Sequence, residues 1–233
     1  MAEHGALTVI GFKWVPSFAQ GQVRDHRVRW ALREVGWEYE VELIDGAHMT
    51  TPAYRAEHPF GQVPLLREDG RVTLFESGGI VLDIAERTGR MLPSDKNQRA
   101  LAKCWTYAAL NSVEPFLLEL FFADMMIEDK EVARGYRPHA EKFARDRLDK
   151  LSVALGDRDW LVGDEFSIAD LMTASVSKVS ENSGLIDDFP NLAAWRERCF
   201  ARPAFRDSIA EQLAEYQRHG PADMGWDQDP TKN

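Results

Sequence analysis

Strand-type periodicity is confined to the first 75 residues of this chain, so the polypeptide can build one small α/β unit and must complete itself with helices. Leu7 to Phe12 is a short apolar run that predicts a buried strand. A loop carrying Pro16, Ser17 and Gly21 follows, and from about Gln22 to Val35 the residues Val23, Val28, Ala31, Leu32 and Val35 fall at helical spacings, with Gly36 as the stop. Tyr39, Val41 and Leu43 alternate with Glu38, Glu40 and Glu42, the period of a strand with one wet face. A short helix over Pro52 to Glu57 leads to a strand at Val63-Pro64-Leu65-Leu66. The turn signal Glu68-Asp69-Gly70-Arg71 then predicts an antiparallel hairpin with Val72 to Phe75. Glu76-Ser77 opens a helix running to about Arg87, with Ile80, Val81, Ile84 and Ala85 as its apolar stripe.

Beyond the linker Leu92-Pro93-Ser94-Asp95 every pattern is helical: about Asn97 to Met126, Pro138 to Leu155, Ser167 to Ser180, Asn191 to Ala201 and Pro203 to Tyr216. Pro115 inside the first of these should kink it, because it removes a backbone donor. The expected division is residues 1–90 for the α/β unit, 91–95 for a linker, 96–219 for an all-helical unit and 220–233 for an irregular tail.

A formal net charge of −10 argues against a phosphate-binding surface, since nucleic-acid binders cluster Lys and Arg. The basic group Arg24, His26, Arg27 and Arg29, interrupted by Asp25, reads as a solvated helix face. No apolar run approaches the roughly 18 to 20 residues of a bilayer crossing, and Met1 to Gly5 lacks the pattern of a signal peptide, which points to a cytoplasmic protein. The two cysteines, Cys104 and Cys199, are far apart, so neither a disulfide framework nor a thiolate metal site is expected.

Gly61-Gln62-Val63-Pro64-Leu65-Leu66, followed twelve residues after Pro64 by Glu76-Ser77 and a helix, resembles the glutathione-binding pattern of the cytosolic glutathione transferase superfamily. Phe166-Ser167-Ile168-Ala169-Asp170-Leu171 is similar to the start of that superfamily's hallmark helix. The resemblance spans nearly the whole chain, and among the members it is to bacterial-type, serine-like rather than cysteine-type ones. It implies a thioredoxin-like α/β N-terminal domain, an all-α C-terminal domain, and a homodimer.

The resemblance also implies that the Val63–Pro64 bond is cis and that the amide and carbonyl of Val63 pair with the cysteinyl backbone of glutathione as an added short strand. Glu76 and Ser77 stand at a strand-to-helix junction, where free amides and the helix dipole attract an anion. Ser77 can therefore take the γ-glutamyl carboxylate and Glu76 its ammonium group. Gln62 can hydrogen-bond the ligand's backbone. Ser167 and Asp170 form a capping box, a structural device worth on the order of 1 kcal/mol.

Chemistry requires a thiolate. A free thiol has a pKa of about 8.5, and lowering it by about two units takes roughly 2.7 kcal/mol of preferential stabilisation. Members of the superfamily supply a Tyr, Ser or Cys after the first strand. Here no tyrosine precedes Tyr39 and no cysteine precedes Cys104, which excludes a mixed disulfide on a protein cysteine in this unit. Ser17 is the hydroxyl candidate, in Pro16-Ser17-Phe18-Ala19. The stretch from Ser17 to Gly36 is long, so either the helix begins early or the loop carries an insertion that leaves Gln20, Gln22 or a backbone amide as donor.

Trp14 and Phe18, with Tyr107 and Asn111 four residues apart on the kinked helix, are candidates for an apolar second-substrate pocket, with Trp226 as a cover; core packing is the alternative fate of such aromatics. The function expected is conjugation of the glutathione thiolate to a hydrophobic electrophile, with no metal. The alternatives are a glutathione-dependent dehalogenase, isomerase or peroxidase on the same scaffold, or a non-catalytic binding module.

Overall fold

The computed structural model of the protein describes residues 4–226. By packing, the chain forms two compact units, residues 1–88 together with 203–233, and residues 89–202.

The first unit is a four-stranded sheet with helices. Strand β1 (Leu7–Phe12) pairs in parallel with β2 (Glu40–Ile44), the two joined through helix α1 (Asp25–Val35). Gly36, at φ 73°, ends α1 in the left-handed conformation, and the Trp37 N–H closes the end on the Leu32 carbonyl at 3.0 Å. Two short helices follow, α2 (Gly46–Met49) and α3 (Pro52–Glu57), capped by the side chains of Asp45 and Thr51. Strand β3 (Leu65–Glu68) runs antiparallel to β1 on one side and to β4 (Leu74–Phe75) on the other, giving the order β2-β1-β3-β4. Pro64 thus stands immediately before an inner strand, where its missing N–H takes nothing from the ladder. Helix α4 (Ser77–Thr88) leaves directly from β4 and packs against α1.

The last helix, α10 (Pro203–Gln217), also packs on α1, within this first unit. Its carboxylates explain a departure from the sequence reading. The basic group on α1 is not a solvated face: His26, Arg27 and Arg29 are 0–1% exposed, and Asp25 is equally buried. Arg29 donates from Nε to Asp25 at 2.8 Å and from Nη1 and Nη2 to the two oxygens of Glu215 at 3.0 and 2.8 Å. Gln212 donates to Asp25 at 2.6 Å. Gly11 on β1 makes room for the cluster, since a Cβ there would lie 3.1 Å from both Arg29 Nη2 and Asp25 Oδ2. A one-residue view of charge cannot see this, because the acids that bury the guanidinium lie some 186 residues further along the chain.

The second unit is helical. Helix α5 (Lys96–Ala108) passes through a π-helical turn (Ala109–Val113) into α6 (Glu114–Met125). The turn falls just before Pro115, whose ring and missing donor disrupt the regular bonding to residue 111. Helix α7 (Lys130–Leu155) begins eight residues earlier than the sequence suggests and carries Pro138 in its interior. Asp129 is the cap, accepting from the Glu131 and Val132 amides. Packing on α6 and ion pairs from Arg137 to Asp124 and Glu141 hold the turns on either side of the proline.

Helix α8 (Ile168–Ser177) is buried along its whole length. A 3-10 segment (Lys178–Ser183) continues it, and after a second (Leu185–Asp188) comes α9 (Pro190–Phe200). At the start of α8 the Ser167 hydroxyl accepts from the Ala169 amide at 3.3 Å, and Asp170 accepts from the Ser167 amide at 3.0 Å, the reciprocal arrangement of a capping box. Asp170 does more: its other oxygen accepts from the Leu161 amide at 2.8 Å and from the Trp195 indole at 2.9 Å. Among the described residues no helix is long and apolar enough to cross a membrane.

Candidate glutathione site

The site is built where β3, β4 and the N-terminus of α4 meet. The Val63–Pro64 peptide bond is cis. The turn before it is set by Gly61, at φ 60°, whose N–H bonds the His58 carbonyl at 2.8 Å. Any side chain there would be strained in backbone conformation, and its Cβ would lie 2.9 Å from the Met49 carbonyl. Val63 is buried in a cluster with Ile10, Ile44, Tyr54 and Leu65, against which Phe12, Val23 and Met49 pack. The side chain of Gln62 is exposed.

The ladder pairs Leu65 with Phe75 and Leu66 with Leu74. Leu65–Phe75 is the last pair of that ladder, so the chain just before β3, Val63-Pro64, and the chain just after β4, Glu76-Ser77, lie at the same end of the sheet. Glu76 is exposed and adopts φ 68°, rare for a residue with a side chain; it turns the strand sharply into α4. Ser77 is buried as the first residue of that helix, with its hydroxyl accepting from Arg27 Nη1 at 3.3 Å. Gly79, two residues further on, has open space where a side chain would be. An anion at this point would meet helix amides and the guanidinium-bonded hydroxyl together. Arg27 was missed in the sequence because it reads as one of a run of solvated charges.

His58 lies beneath this turn, buried, its ring 5.2 Å from that of Phe75 and 6.4 Å from that of Phe60. Burial pushes its pKa down against the opposing pull of Glu76, which keeps the imidazole neutral near pH 7.

The thiol-activating candidates sit in the loop of residues 13–24. Helix α1 does not begin early: its first residue is Asp25. Ser17 is exposed and opens a 3-10 turn (Ser17–Ala19), eight residues ahead of α1. Gln20 donates its side-chain amide to the Val15 carbonyl at 3.0 Å, tying the loop to itself. Gln22 lies at the approach to α1, next to Val23, which packs on the Val63 cluster. Trp14 and Val15 are buried with Tyr216 and Met224, and Trp226 meets Trp14 edge-on at 5.9 Å. Trp14 is thus packed into a core, with Trp226 laid against it. Phe18 is half-buried. Tyr107 and Asn111 belong to the second unit, where both are exposed, Asn111 within the π-helical turn.

Two family models match the chain: "Glutathione S-transferase, N-terminal domain" over residues 26–87 and "Glutathione S-transferase, C-terminal domain" over residues 115–203. Glutathione S-transferase 3 of Zea mays is 32% identical in a 198-residue alignment that covers 79% of this chain and 87% of the relative. The chain belongs to the glutathione S-transferase family. Glutathione S-transferase F13 of Arabidopsis thaliana is 29% identical over 77% of this chain and 87% of its own. The crystal structure of a glutathione transferase from Burkholderia graminis, with two glutathione molecules bound per subunit, superposes with a TM-score of 0.76 at 25% identity and covers 88% of this chain and 87% of that one.

Family membership makes the chain a glutathione transferase in enzyme class, with glutathione as the substrate. It also accounts for the fold expected from sequence, a thioredoxin-like sheet domain with a helical partner. Among the described residues no group of three or more His, Cys, Asp or Glu side chains is placed to hold a metal ion.

Proposed function

We propose that this glutathione transferase binds glutathione along Gln62, Val63 and Pro64, with its γ-glutamyl end at Glu76 and Ser77, and conjugates the thiolate to a hydrophobic electrophile in the cytoplasm. The observation that carries the reading is the Leu65–Phe75 pair that closes the β3–β4 ladder, which brings the chain leading into β3 and the start of α4 to one end of the sheet. A short strand is thereby offered at one end of the ligand and a helix N-terminus at the other. Positioning and thiolate stabilisation are the catalytic terms. Exposed Phe60, Val72 and Phe75 on the first unit support a homodimer, since apolar side chains this open belong at an interface.

Ser17 is the hydroxyl proposed to hold the thiolate, and Gln22 is the alternative that the start of α1 at Asp25 favours. Titrating the thiolate absorbance of bound glutathione separates them. Ser17→Ala should raise the bound thiol pKa by about two units if its hydroxyl supplies the roughly 2.7 kcal/mol required. An unchanged value, with the rise appearing in Gln22→Ala, would move the role to Gln22. No thiolate at neutral pH in the unsubstituted protein, despite glutathione binding, would instead mean a binding module.

Ser77→Ala is expected to weaken glutathione by about 10- to 100-fold in calorimetry, the loss typical of a hydrogen bond to a charged group, roughly 1.5–3 kcal/mol. Undiminished binding in that variant would place the carboxylate elsewhere.

A further inference from the structure

Tyr54, on α3, is 1% exposed and packs in the same cluster as Val63. Its hydroxyl donates to the Gln62 carbonyl at 2.7 Å. His48 meets the Tyr54 ring edge-on at 5.4 Å. The Gln62–Val63 peptide is an ordinary trans unit, because the cis bond is the next one along. In a planar trans peptide the C=O and the N–H point in opposite directions. A carbonyl drawn in to the Tyr54 hydroxyl therefore turns the Val63 N–H away from the cluster. Among the described residues that N–H meets no acceptor.

We propose that Tyr54 is a positioning residue for glutathione: by fixing the Gln62 carbonyl it aims the Val63 N–H at the cysteinyl carbonyl of the ligand. The assignment rests on the cysteinyl backbone lying along Val63. Three constraints then act on this turn: the hydroxyl holds the Gln62 carbonyl, the ring and the Val63 side chain are buried in one cluster, and Gly61 fixes the entry to the turn. Such a peptide plane is set before the ligand arrives, so binding spends little on ordering it. Burial pushes the Tyr54 phenol well above its ordinary pKa, and the donor stays protonated throughout the range in which a thiolate chemistry is run.

Tyr54→Phe keeps the ring and removes only the donor. Its glutathione Kd and KM should rise by about 2- to 10-fold, the effect of losing one neutral hydrogen bond, with kcat at saturating glutathione unchanged. The decisive comparison uses a glutathione analogue with a trans-alkene in place of the Cys–Gly amide, which lacks the cysteinyl carbonyl. The unsubstituted protein should bind glutathione several-fold more tightly than the analogue, and in Tyr54→Phe that ratio should fall toward one. Placing 4-aminophenylalanine at position 54 restores a donor and should restore the ratio, including where the phenylalanine variant folds poorly. Equal weakening of both ligands, or a fall in kcat alone, would reduce Tyr54 to a packing residue and overturn the proposal. If the unsubstituted protein binds glutathione but does not distinguish it from the analogue, the placement of the ligand along Val63 is what has failed, and the role of Tyr54 falls with it.

Discussion

Asp170→Ala should cost about 4 kcal/mol or more and abolish the cooperative unfolding of the second unit under mild denaturant. The carboxylate accepts four hydrogen bonds, from the Leu161 and Ser167 amides, the Ser167 hydroxyl and the Trp195 indole, and it is fully buried. Removing it strands donors on three separate segments in an apolar surround, and each buried unsatisfied group costs about 1–3 kcal/mol. Asp170→Asn is no remedy. It keeps the volume but turns one of the two oxygens into a donor, which must then face either Leu161 and Trp195 or Ser167. Ser167→Ala, by contrast, should cost only about 1 kcal/mol. Denaturant midpoints of the three variants check the ranking; a Ser167→Ala loss equal to that of Asp170→Ala would mean that the cap alone holds this corner.

A second large loss is expected at Arg29. Arg29→Met should destabilise the protein by about 3–5 kcal/mol near pH 8, because it leaves Asp25 and Glu215 buried without their cation. At roughly 2–4 °C per kcal/mol, Tm should fall by about 6–20 °C. The loss should shrink toward pH 5. In the unsubstituted protein burial pushes the Asp25 carboxyl up to about 6, with Arg29 pulling it down and Glu215 pushing it further up. A folded-state pKa above the unfolded value means that the native state holds the extra proton. The stability contributed by this group is therefore full below about pH 4, falls as pH rises to about 6, and is level above that. Without the guanidinium, which pulls the Asp25 pKa down, Asp25 holds its proton to higher pH, so the variant is penalised most where that carboxyl must ionise.

Other carboxylates respond in the opposite sense. Asp45 and Glu57 are held below their ordinary values, by a hydrogen bond from Lys13 and by one from Arg67 respectively. The informative quantity is accordingly the difference in Tm between variant and parent at pH 5 and pH 8. A difference independent of pH would mean that Arg29 acts by packing.

Those two sites mark where the sequence was and was not legible. The succession of elements along the first unit could be read because each declares itself locally: Glu40 and Glu42 alternate with Val41 and Leu43, and Gly70 marks the hairpin. The capping box could be read because Ser167 and Asp170 are three residues apart. What Asp170 does for Leu161 and Trp195 could not, since those partners lie 9 and 25 residues away with no periodic sign. The burial of Arg27 and Arg29 was hidden for the same reason.

The candidate site divides similarly. Val63-Pro64 and Glu76-Ser77 were recognisable as a spaced pattern. The bond from the Tyr54 hydroxyl to the Gln62 carbonyl has no sign in the sequence, where Tyr54 is an aromatic within the short helix Pro52 to Glu57. The position of Ser17 turned on where α1 begins, and helix ends are the least determined part of any pattern, here shifted by three residues from Gln22 to Asp25.

The passage of α10 back onto α1 has a consequence for the order in which the molecule is assembled during synthesis. The first unit is encoded at both ends of the chain, and residues 89–202 are translated in between. At about 5–20 residues per second, Arg29 and Asp25 wait on the order of ten seconds after the first sheet has emerged before Glu215 is made. The nascent sheet domain thus carries an incomplete charge cluster on its surface while the helical unit is already able to close around α8. The unit that comes first off the ribosome is the last to be finished.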